Sequence, residues 1–316
     1  MEFRNLGRSG LEVSVIGLGT NNFGMRMDQD ATQIVVDKAI DEGINLFDTA
    51  DVYGGQGKSE QFLGKALGSR RQDVLIATKF AMQMGEGPMQ SGGSRHWIMN
   101  AVEDSLRRLG TDYIDLYQVH RPDPKTPFEE TLRALDDLVT SGKVRYVGGS
   151  NFAGWQIAEC HHLAKNNGWA PFISAQPQYS LLDRNIEREV VPACNEYGLG
   201  VLPYFPLASG LLTGKYKRGQ DAPEGTRLAA GPMAERMLND RNFDKVEKLE
   251  EFAHGRGHTL LELAFGWLVS QPHVGSVIAG ATKPEQVEAN AAASAWKLDE
   301  EELAEVDQIT GRPTAG

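Results

Sequence analysis

Cysteine is scarce in this sequence of 316 residues, which contains only Cys160 and Cys194. Both fall within predicted helices, so the pattern argues against a disulfide framework and favours a reducing compartment. Long hydrophobic runs are also lacking, because the longest candidate, residues 260–269, is interrupted by Glu262. The first residues hold no apolar core of a signal peptide. We therefore expect a cytoplasmic protein that does not enter a membrane.

An excess of positive charge is lacking as well. Lysine and arginine number 32 against 43 aspartate and glutamate residues, giving a net charge of −11, and the basic residues are scattered. This balance argues against nucleic acid or an anionic membrane as a partner. Any ligand that carries phosphate must therefore be held by a local site, against the overall field of the protein.

Short apolar runs alternate with amphipathic segments along nearly the whole chain. The predicted strands span residues 15–18, 44–47, 74–78, 114–119, 144–148, 172–175, 200–203 and 276–279. A hairpin at 2–13 precedes them, and extra helices follow at 240–254, 259–270 and 299–309. This order predicts an α/β fold, one closed (β/α)8 TIM barrel forming a single domain over residues 1–316.

A doubly wound open sheet is the alternative fold. It is disfavoured because Gly17 and Gly19 follow the first strand without a third glycine or the start of a helix. The spacing of apolar residues also predicts which side of a helix is buried and where a helix ends. Residues 31–42 place Ile34 and Val35 on the buried side, and a helix at 186–197 is expected to end at Gly198.

Polar side chains repeatedly follow the apolar strands. Taken singly, a histidine or glutamine at a strand end is more often an anchor for a loop. Together they indicate a site, because the functional face of such a barrel lies at the carboxyl ends of its strands. The residues concerned are Asp48, Lys79, His120, Ser150, Asn151, Gln176 and Tyr204, with Tyr53 close behind Asp48.

These groups suit proton donation to a developing oxyanion. A phenol with a pKa of roughly 10, such as Tyr53, is a reluctant donor at neutral pH. The ammonium of Lys79 should lower that pKa, Asp48 should hold Lys79, and His120 should orient a substrate oxygen. The expected reaction is carbonyl reduction. A metal site that includes Asp51 and Asp123 is disfavoured by the central lysine and by the absence of a close ligand pair, so no metal is predicted.

The sequence resembles the aldo-keto reductase superfamily, and the resemblance covers nearly the whole chain. Matching motifs are Asp48–Gly54, Thr78-Lys79, Val119-His120, Gly149–Asn151, Gln176–Tyr179, Pro206–Tyr216 and Gly280–Asn290. The run His120–Pro127 is similar to the branch that contains bacterial reductases and potassium-channel β-subunits. The resemblance implies that the N-terminal hairpin plugs the barrel. It also implies NADPH-dependent reduction of a small carbonyl substrate, with oligomeric state left open.

The resemblance further implies roles for individual residues. Tyr53 is the general acid, tuned by Lys79 and Asp48, and His120 orients the carbonyl. Residues at the nicotinamide end are Thr20, Asn21, Asp48, Ser150, Asn151, Gln176 and Tyr204. The pyrophosphate turn comprises Phe205, Pro206, Leu207, Ser209 and Gly210, with Lys215. The adenosine end comprises Gly280, Thr282, Gln286 and Asn290, with Lys283 and Arg227 available to the 2′-phosphate.

Some positions depart from the family pattern. Phe205 stands where serine is common, and Gln286 stands where many members carry arginine, so a preference for NADP rests on Lys283 and Arg227. The channel β-subunits carry asparagine at the position of His120, and the histidine here favours a working reductase. Two alternatives stay open: an NADP-binding sensory or regulatory subunit with slow turnover, and a metal-dependent barrel isomerase or hydrolase.

Overall fold

The computed structural model describes residues 1–311; the last five residues of the predicted 1–316 domain lie outside this range. An antiparallel hairpin opens the chain, with β1 (Phe3–Asn5) paired to β2 (Glu12–Ser14). Leu6 and Val13 pack with the apolar interior of the larger sheet, so the hairpin covers one end of it. This confirms the expected plug.

Eight parallel strands form the barrel, in the predicted order. They are β3 (Ile16–Gly19), β4 (Leu46–Asp48), β5 (Leu75–Phe80), β6 (Ile114–Val119), β7 (Val144–Ser150), β8 (Phe172–Gln176), β9 (Gly200–Val201) and β10 (Val277–Gly280). β10 pairs with β3. The Ile278 amide donates to the Pro203 carbonyl at 2.9 Å, joining β10 to the end of β9. The fold is therefore a (β/α)8 barrel.

Helices surround the strands. They are α1 (Gln29–Asp41), α2 (Tyr53–Gln56), α3 (Lys58–Leu67), α4 (Arg95–Leu109), α5 (Phe128–Thr140), α6 (Gly154–Asn167), α7 (Val190–Tyr197), α8 (Pro232–Met237), α9 (Asp240–His254), α10 (Leu260–Val269), α11 (Pro284–Ala292) and α12 (Glu300–Thr310). Short 3-10 turns occupy Gly68–Asp73, Asn185–Arg188, Ala208–Thr213 and Ala293–Ala295. In residues 1–311, no helix is long and apolar enough to cross a membrane.

Residues of α5 show why the helices dock on the strands. Leu132, Leu135 and Leu138 lie on one stripe at helical spacing, and all three are buried. Each buried leucine contributes roughly 1.5–3 kcal/mol relative to exposure. At the end of α4, Gly110 adopts φ 65° and its N–H bonds to the Leu106 carbonyl, which is the predicted cap.

Two details differ from the sequence prediction. Ile34, expected on the buried side of α1, is 55% exposed, because Thr32, Val35 and Val36 occupy that side. The single helix expected at 186–197 is a 3-10 turn followed by α7. Pro192 has no N–H to donate and must lie in the first turn of a helix, so α7 begins only at Val190.

Candidate active site

The side chains of Asp48 and Lys79 meet at the carboxyl ends of neighbouring strands. The Lys79 ammonium donates to Asp48 Oδ1 at 2.8 Å, to Asp48 Oδ2 at 2.6 Å and to the Thr49 carbonyl at 3.0 Å. Lys79 is 0% exposed and Asp48 is 3% exposed. A buried cation with a bidentate carboxylate partner is a strong, oriented ion pair.

Tyr53 and His120 complete the group. The Lys79 ammonium lies 5.2 Å from the centroid of the Tyr53 ring. The rings of Tyr53 and His120 meet edge to face, with centroids 5.7 Å apart and planes at 83°. His120 comes directly after β6, and its amide donates to the Phe80 carbonyl of β5 at 2.9 Å. The structure therefore brings all four predicted side chains together.

The charge state of Lys79 is set by its surroundings. Burial lowers the pKa of this ammonium. The charge of Asp48 and the neighbouring Tyr53 phenol together raise it by more, so the net pKa is above its ordinary value. Lys79 is therefore a fixed cation at neutral pH.

The pKa of Tyr53 shifts opposite to the direction expected from sequence. Burial raises it, and the opposing influence of the Lys79 cation is not large enough to reverse that shift. Asp48 adds to the increase, because a carboxylate disfavours a second anion nearby. Tyr53 thus holds its proton firmly, as a donor should.

His120 is neutral in this environment. Burial lowers its pKa to about 3, and the cations Lys79 and Arg121 act in the same direction. Within residues 1–311, no hydrogen-bond partner reaches its buried Nδ1. A neutral imidazole can hydrogen-bond to a substrate oxygen without adding a mobile proton.

Amide and hydroxyl groups continue the site from Asp48 across the barrel mouth. Gln176 donates through Nε2 to Asp48 Oδ1 at 2.7 Å, and the Ser150 hydroxyl donates to the Gln176 carbonyl at 2.7 Å. Asn151 donates to Ser150 Oγ at 3.0 Å and accepts from the Tyr204 hydroxyl at 2.8 Å. The predicted nicotinamide residues Ser150, Asn151, Gln176 and Tyr204 thus form one connected network.

Thr20 lies behind this network. It is 0% exposed, and its hydroxyl bonds to the Asp48 carbonyl at 3.0 Å and to Ser59 Oγ at 2.8 Å. Its side chain therefore supports the strand that carries Asp48. Asn21, in contrast, lies beside the end of β10, where a Cβ on Gly280 would come 3.5 Å from its side chain.

The segment after Tyr204 makes a tight turn with unusual backbone angles. Phe205, Ala208 and Ser209 have φ values of 54°, 47° and 60°, a region that favours glycine. Gly210 has φ 94°, and a Cβ there would lie 2.9 Å from the ammonium of Lys215. Sequence reasoning placed these residues together but gave no sign of the strained backbone.

The remaining predicted cofactor residues lie around this turn and at the start of α11. Arg227 stacks over the Phe205 ring at 5.4 Å, so the phenylalanine that departs from the family pattern supports a cation. Burial and the nearby Arg26 lower the pKa of Arg227. Pro206 and Asn290 are buried, Leu207 and Thr282 are partly exposed, and Lys283 and Gln286 are exposed. Gln286 accepts from the Thr282 amide at 2.8 Å.

A buried polar cluster beneath Lys79 was not predicted. Glu60 is 0% exposed and accepts from the Thr78 hydroxyl at 2.6 Å and from Arg108 at 2.6 Å. Asp51 is 1% exposed, and burial followed by the charge of Glu60 raises its pKa well above the ordinary value. The signal available in the sequence was two acids, Asp51 and Glu60, close behind Asp48.

Two of the acids considered for a metal site, Asp48 and Asp123, have other partners. Asp48 is paired with Lys79, and Asp123 accepts from the Gly93 amide at 2.8 Å and from the Thr126 hydroxyl at 2.7 Å. Across residues 1–311, no group of three or more His, Cys, Asp or Glu side chains is arranged to hold a metal ion.

The model of the aldo/keto reductase family matches residues 15–310. The chain belongs to this family. This aldo/keto reductase is therefore an oxidoreductase whose general chemistry is carbonyl reduction with a nicotinamide cofactor.

The relatives include both reductases and channel subunits. A probable voltage-gated potassium channel subunit beta of Oryza sativa subsp. japonica is 40% identical over 298 residues, covering 92% of this chain and 90% of that protein. L-glyceraldehyde 3-phosphate reductase of Escherichia coli K12 is 35% identical, covering 98% and 92%. Aldo-keto reductase YhdN of Bacillus subtilis is 35% identical, covering 98% and 93%.

Proposed function

We propose that this aldo/keto reductase reduces aldehydes and ketones to alcohols with NADPH, and that Tyr53 is the general acid. The supporting observation is the buried Lys79–Asp48 ion pair, at 2.6 Å, beside the Tyr53 phenol. When bound, the nicotinamide supplies a hydride to the carbonyl carbon. The residues of the chain supply the proton and the electrostatic environment.

Tyr53 donates its proton as negative charge develops on the carbonyl oxygen. An alkoxide is far more basic than a phenolate, so the transfer is favourable even from a buried phenol whose pKa is raised. The Lys79 cation stabilises the phenolate that remains, and Asp48 keeps Lys79 charged and aimed. Neutral His120 orients the substrate oxygen beside Tyr53 by a hydrogen bond.

The residues around the mouth fit a nicotinamide dinucleotide. The connected polar groups of Ser150, Asn151 and Gln176 suit a carboxamide, and the Tyr204 ring suits stacking. Backbone can approach a ligand closely at Gly280, which is exposed and has no side chain. At Gly210, the space that a side chain would fill holds the Lys215 ammonium. The pyrophosphate of the cofactor would run along Phe205, Pro206, Leu207, Ser209 and Lys215. The remainder of the dinucleotide would be surrounded by Asn21, Arg227, Thr282, Lys283, Gln286 and Asn290.

A carbonyl panel run with NADPH and with NADH tests this function. We expect loss of nicotinamide absorbance with a reactive aldehyde such as a nitrobenzaldehyde, and faster turnover with NADPH. Absence of turnover with every aldehyde and ketone in the panel, under both cofactors, contradicts the proposal.

A sensory or regulatory subunit that binds NADP and turns over slowly is the second candidate. The 40% identity to a protein named as a channel subunit favours it. Tight cofactor that co-purifies, single-turnover oxidation slower than cofactor exchange and a stable partner complex would support this candidate. Under either function, we propose that the chain works as a single domain in the cytoplasm.

A further inference from the structure

A second cleft, with a volume of about 610 Å³, lies between the chain after β8, the start of α9 and the end of α12. We call it the basic cleft. The cationic side chains that line it are Arg184, Arg188, Arg236, Arg241 and Lys245, while Asp183 is the acidic residue in its wall. Such a concentration of positive charge is unexpected in a protein with a net charge of −11.

Most of this positive charge is not neutralised by the protein. Arg184 is buried and paired with Glu187, at 2.7 Å, so it belongs to the wall of the cleft. In the part of the chain that the structure describes, the salt bridges of the cleft wall are those of Arg184, and none involves Arg188, Arg236 or Arg241. All three are exposed, and they line the cleft.

The pKa of Lys245 reflects the positive electrostatic potential in the basic cleft. It is half-buried, and its ammonium donates to the Thr310 carbonyl. Burial lowers the pKa of Lys245, and the nearby cations Arg241 and Arg184 lower it further. The N-terminal end of α9, a helix of 15 residues that starts at Asp240, also lies at the cleft and adds positive potential.

We propose that the basic cleft binds a phosphate group, either as inorganic phosphate or as a small phosphate monoester. Three unpaired guanidinium groups offer more N–H donors than the two oxygens of a single carboxylate can accept. A phosphate dianion has more acceptor oxygens and therefore suits these planar donors better. The proposal is independent of the function proposed for the mouth.

The cleft shares its wall with the candidate cofactor site. Gln178 and Ala208 line it. Gln178 forms a β-bridge with Tyr204, and the Ala208 amide donates to the Phe205 carbonyl at 2.9 Å. An anion in the basic cleft therefore lies against the two segments that position Tyr204 and the strained turn.

Calorimetric titration of the full chain with inorganic phosphate, in saturating NADP+, tests the proposal. We expect phosphate to bind the wild type, and R236Q/R241Q to raise its Kd about tenfold or more through the loss of charge-assisted hydrogen bonds. Both positions are exposed, so Tm should be unchanged. The matched control is R107Q/R133Q, which removes the same charge from exposed arginines that pair with Asp104 and Asp136 elsewhere.

Three results overturn the proposal: no phosphate binding to the wild type, equal weakening in both double variants, or competition between phosphate and NADP+. Competition with NADP+ would assign the anion to the dinucleotide site.

Titrations with glycerol 3-phosphate and with glycerol distinguish a phosphate monoester from inorganic phosphate as the ligand. Tighter binding of the ester than of phosphate identifies a phosphate monoester as the ligand, and equal binding identifies the phosphate group alone. If NADP+ itself fails to bind, the comparison of the two double variants still tests whether phosphate binds in the basic cleft.

Discussion

At the scale of single residues, Lys79 shows how stability and the proposed catalytic role depend on the same contact. An isolated buried cation is unfavourable by several kcal/mol, so Lys79 is tolerated only with a close counterion. Asp48 supplies it through two hydrogen bonds, and Thr49 satisfies a third N–H. The pair that keeps Lys79 charged for its proposed catalytic role therefore also offsets the cost of burying that charge.

Replacing Lys79 by methionine should destabilise the protein by about 3–5 kcal/mol, because Asp48 is left buried without a counterion. The double variant D48N/K79M should recover much of this loss in urea unfolding while remaining inactive. The exposed Lys65→Met is the control and should change the unfolding free energy by less than about 0.5 kcal/mol. A single variant as stable as the wild type would show that the pair is not buried as described.

The pH profile of kcat/KM tests the neutral state assigned to His120. Because its pKa is about 3, no limb from His120 should appear between pH 5 and pH 8. Activity should fall only at alkaline pH, as Tyr53 loses its proton, above the ordinary phenol value of roughly 10. H120Q should raise KM without changing the shape of the profile. A limb near pH 6.5 that disappears in H120Q would mean that His120 itself exchanges a proton.

At the scale of secondary-structure elements, a close backbone contact helps to fix the hairpin. Gly7 of the hairpin has φ 60°, and the Arg8 amide donates to the Gly198 carbonyl at 2.9 Å. The hairpin therefore docks through this backbone contact as well as through the side chains of Leu6 and Val13. This explains why a glycine is needed at position 7, in the turn of the hairpin after β1.

Gly7→Ala should destabilise the protein by about 1–3 kcal/mol, because the residue has a positive φ and its new Cβ would lie 2.3 Å from the Gly198 carbonyl oxygen. Gly10→Ala in the same hairpin is the matched control, since nothing lies within 4 Å of its Cβ. Thermal unfolding of both variants gives the comparison. Equal Tm values for the two would contradict this docking geometry.

These elements also show what the sequence could and could not predict. Strand order and the polar strand ends followed from local patterns, and so did the grouping of Asp48, Tyr53, Lys79 and His120. The pKa direction of Tyr53 did not, because the depth of burial depends on helices and loops distant in sequence. The strained backbone of Phe205–Gly210 and the basic cleft likewise arise from tertiary contacts that no local spacing records.

At the scale of the whole molecule, the partly buried His273 makes stability depend on pH. Burial lowers the pKa of His273 to about 4, with Glu187 opposing, so the folded protein resists a proton that the unfolded chain accepts at about 6.5. Stability is therefore highest above pH 6.5 and falls as pH decreases toward 4. H273Q should reduce this slope in urea unfolding, and exposed H96Q should not. An unchanged slope in H273Q would exclude this cause.

The barrel as a whole brings a phenol, an ammonium, a carboxylate and an imidazole to one mouth, and the account depends on their acting together. The most direct measurement is the kcat of Tyr53→Phe with NADPH and an aldehyde, alongside the Kd for NADP+. Loss of the proton donor should lower kcat by about 100-fold or more, with Kd nearly unchanged. A Tyr53→Phe enzyme that turns over within a few-fold of the wild type would contradict the assignment of Tyr53 as the acid.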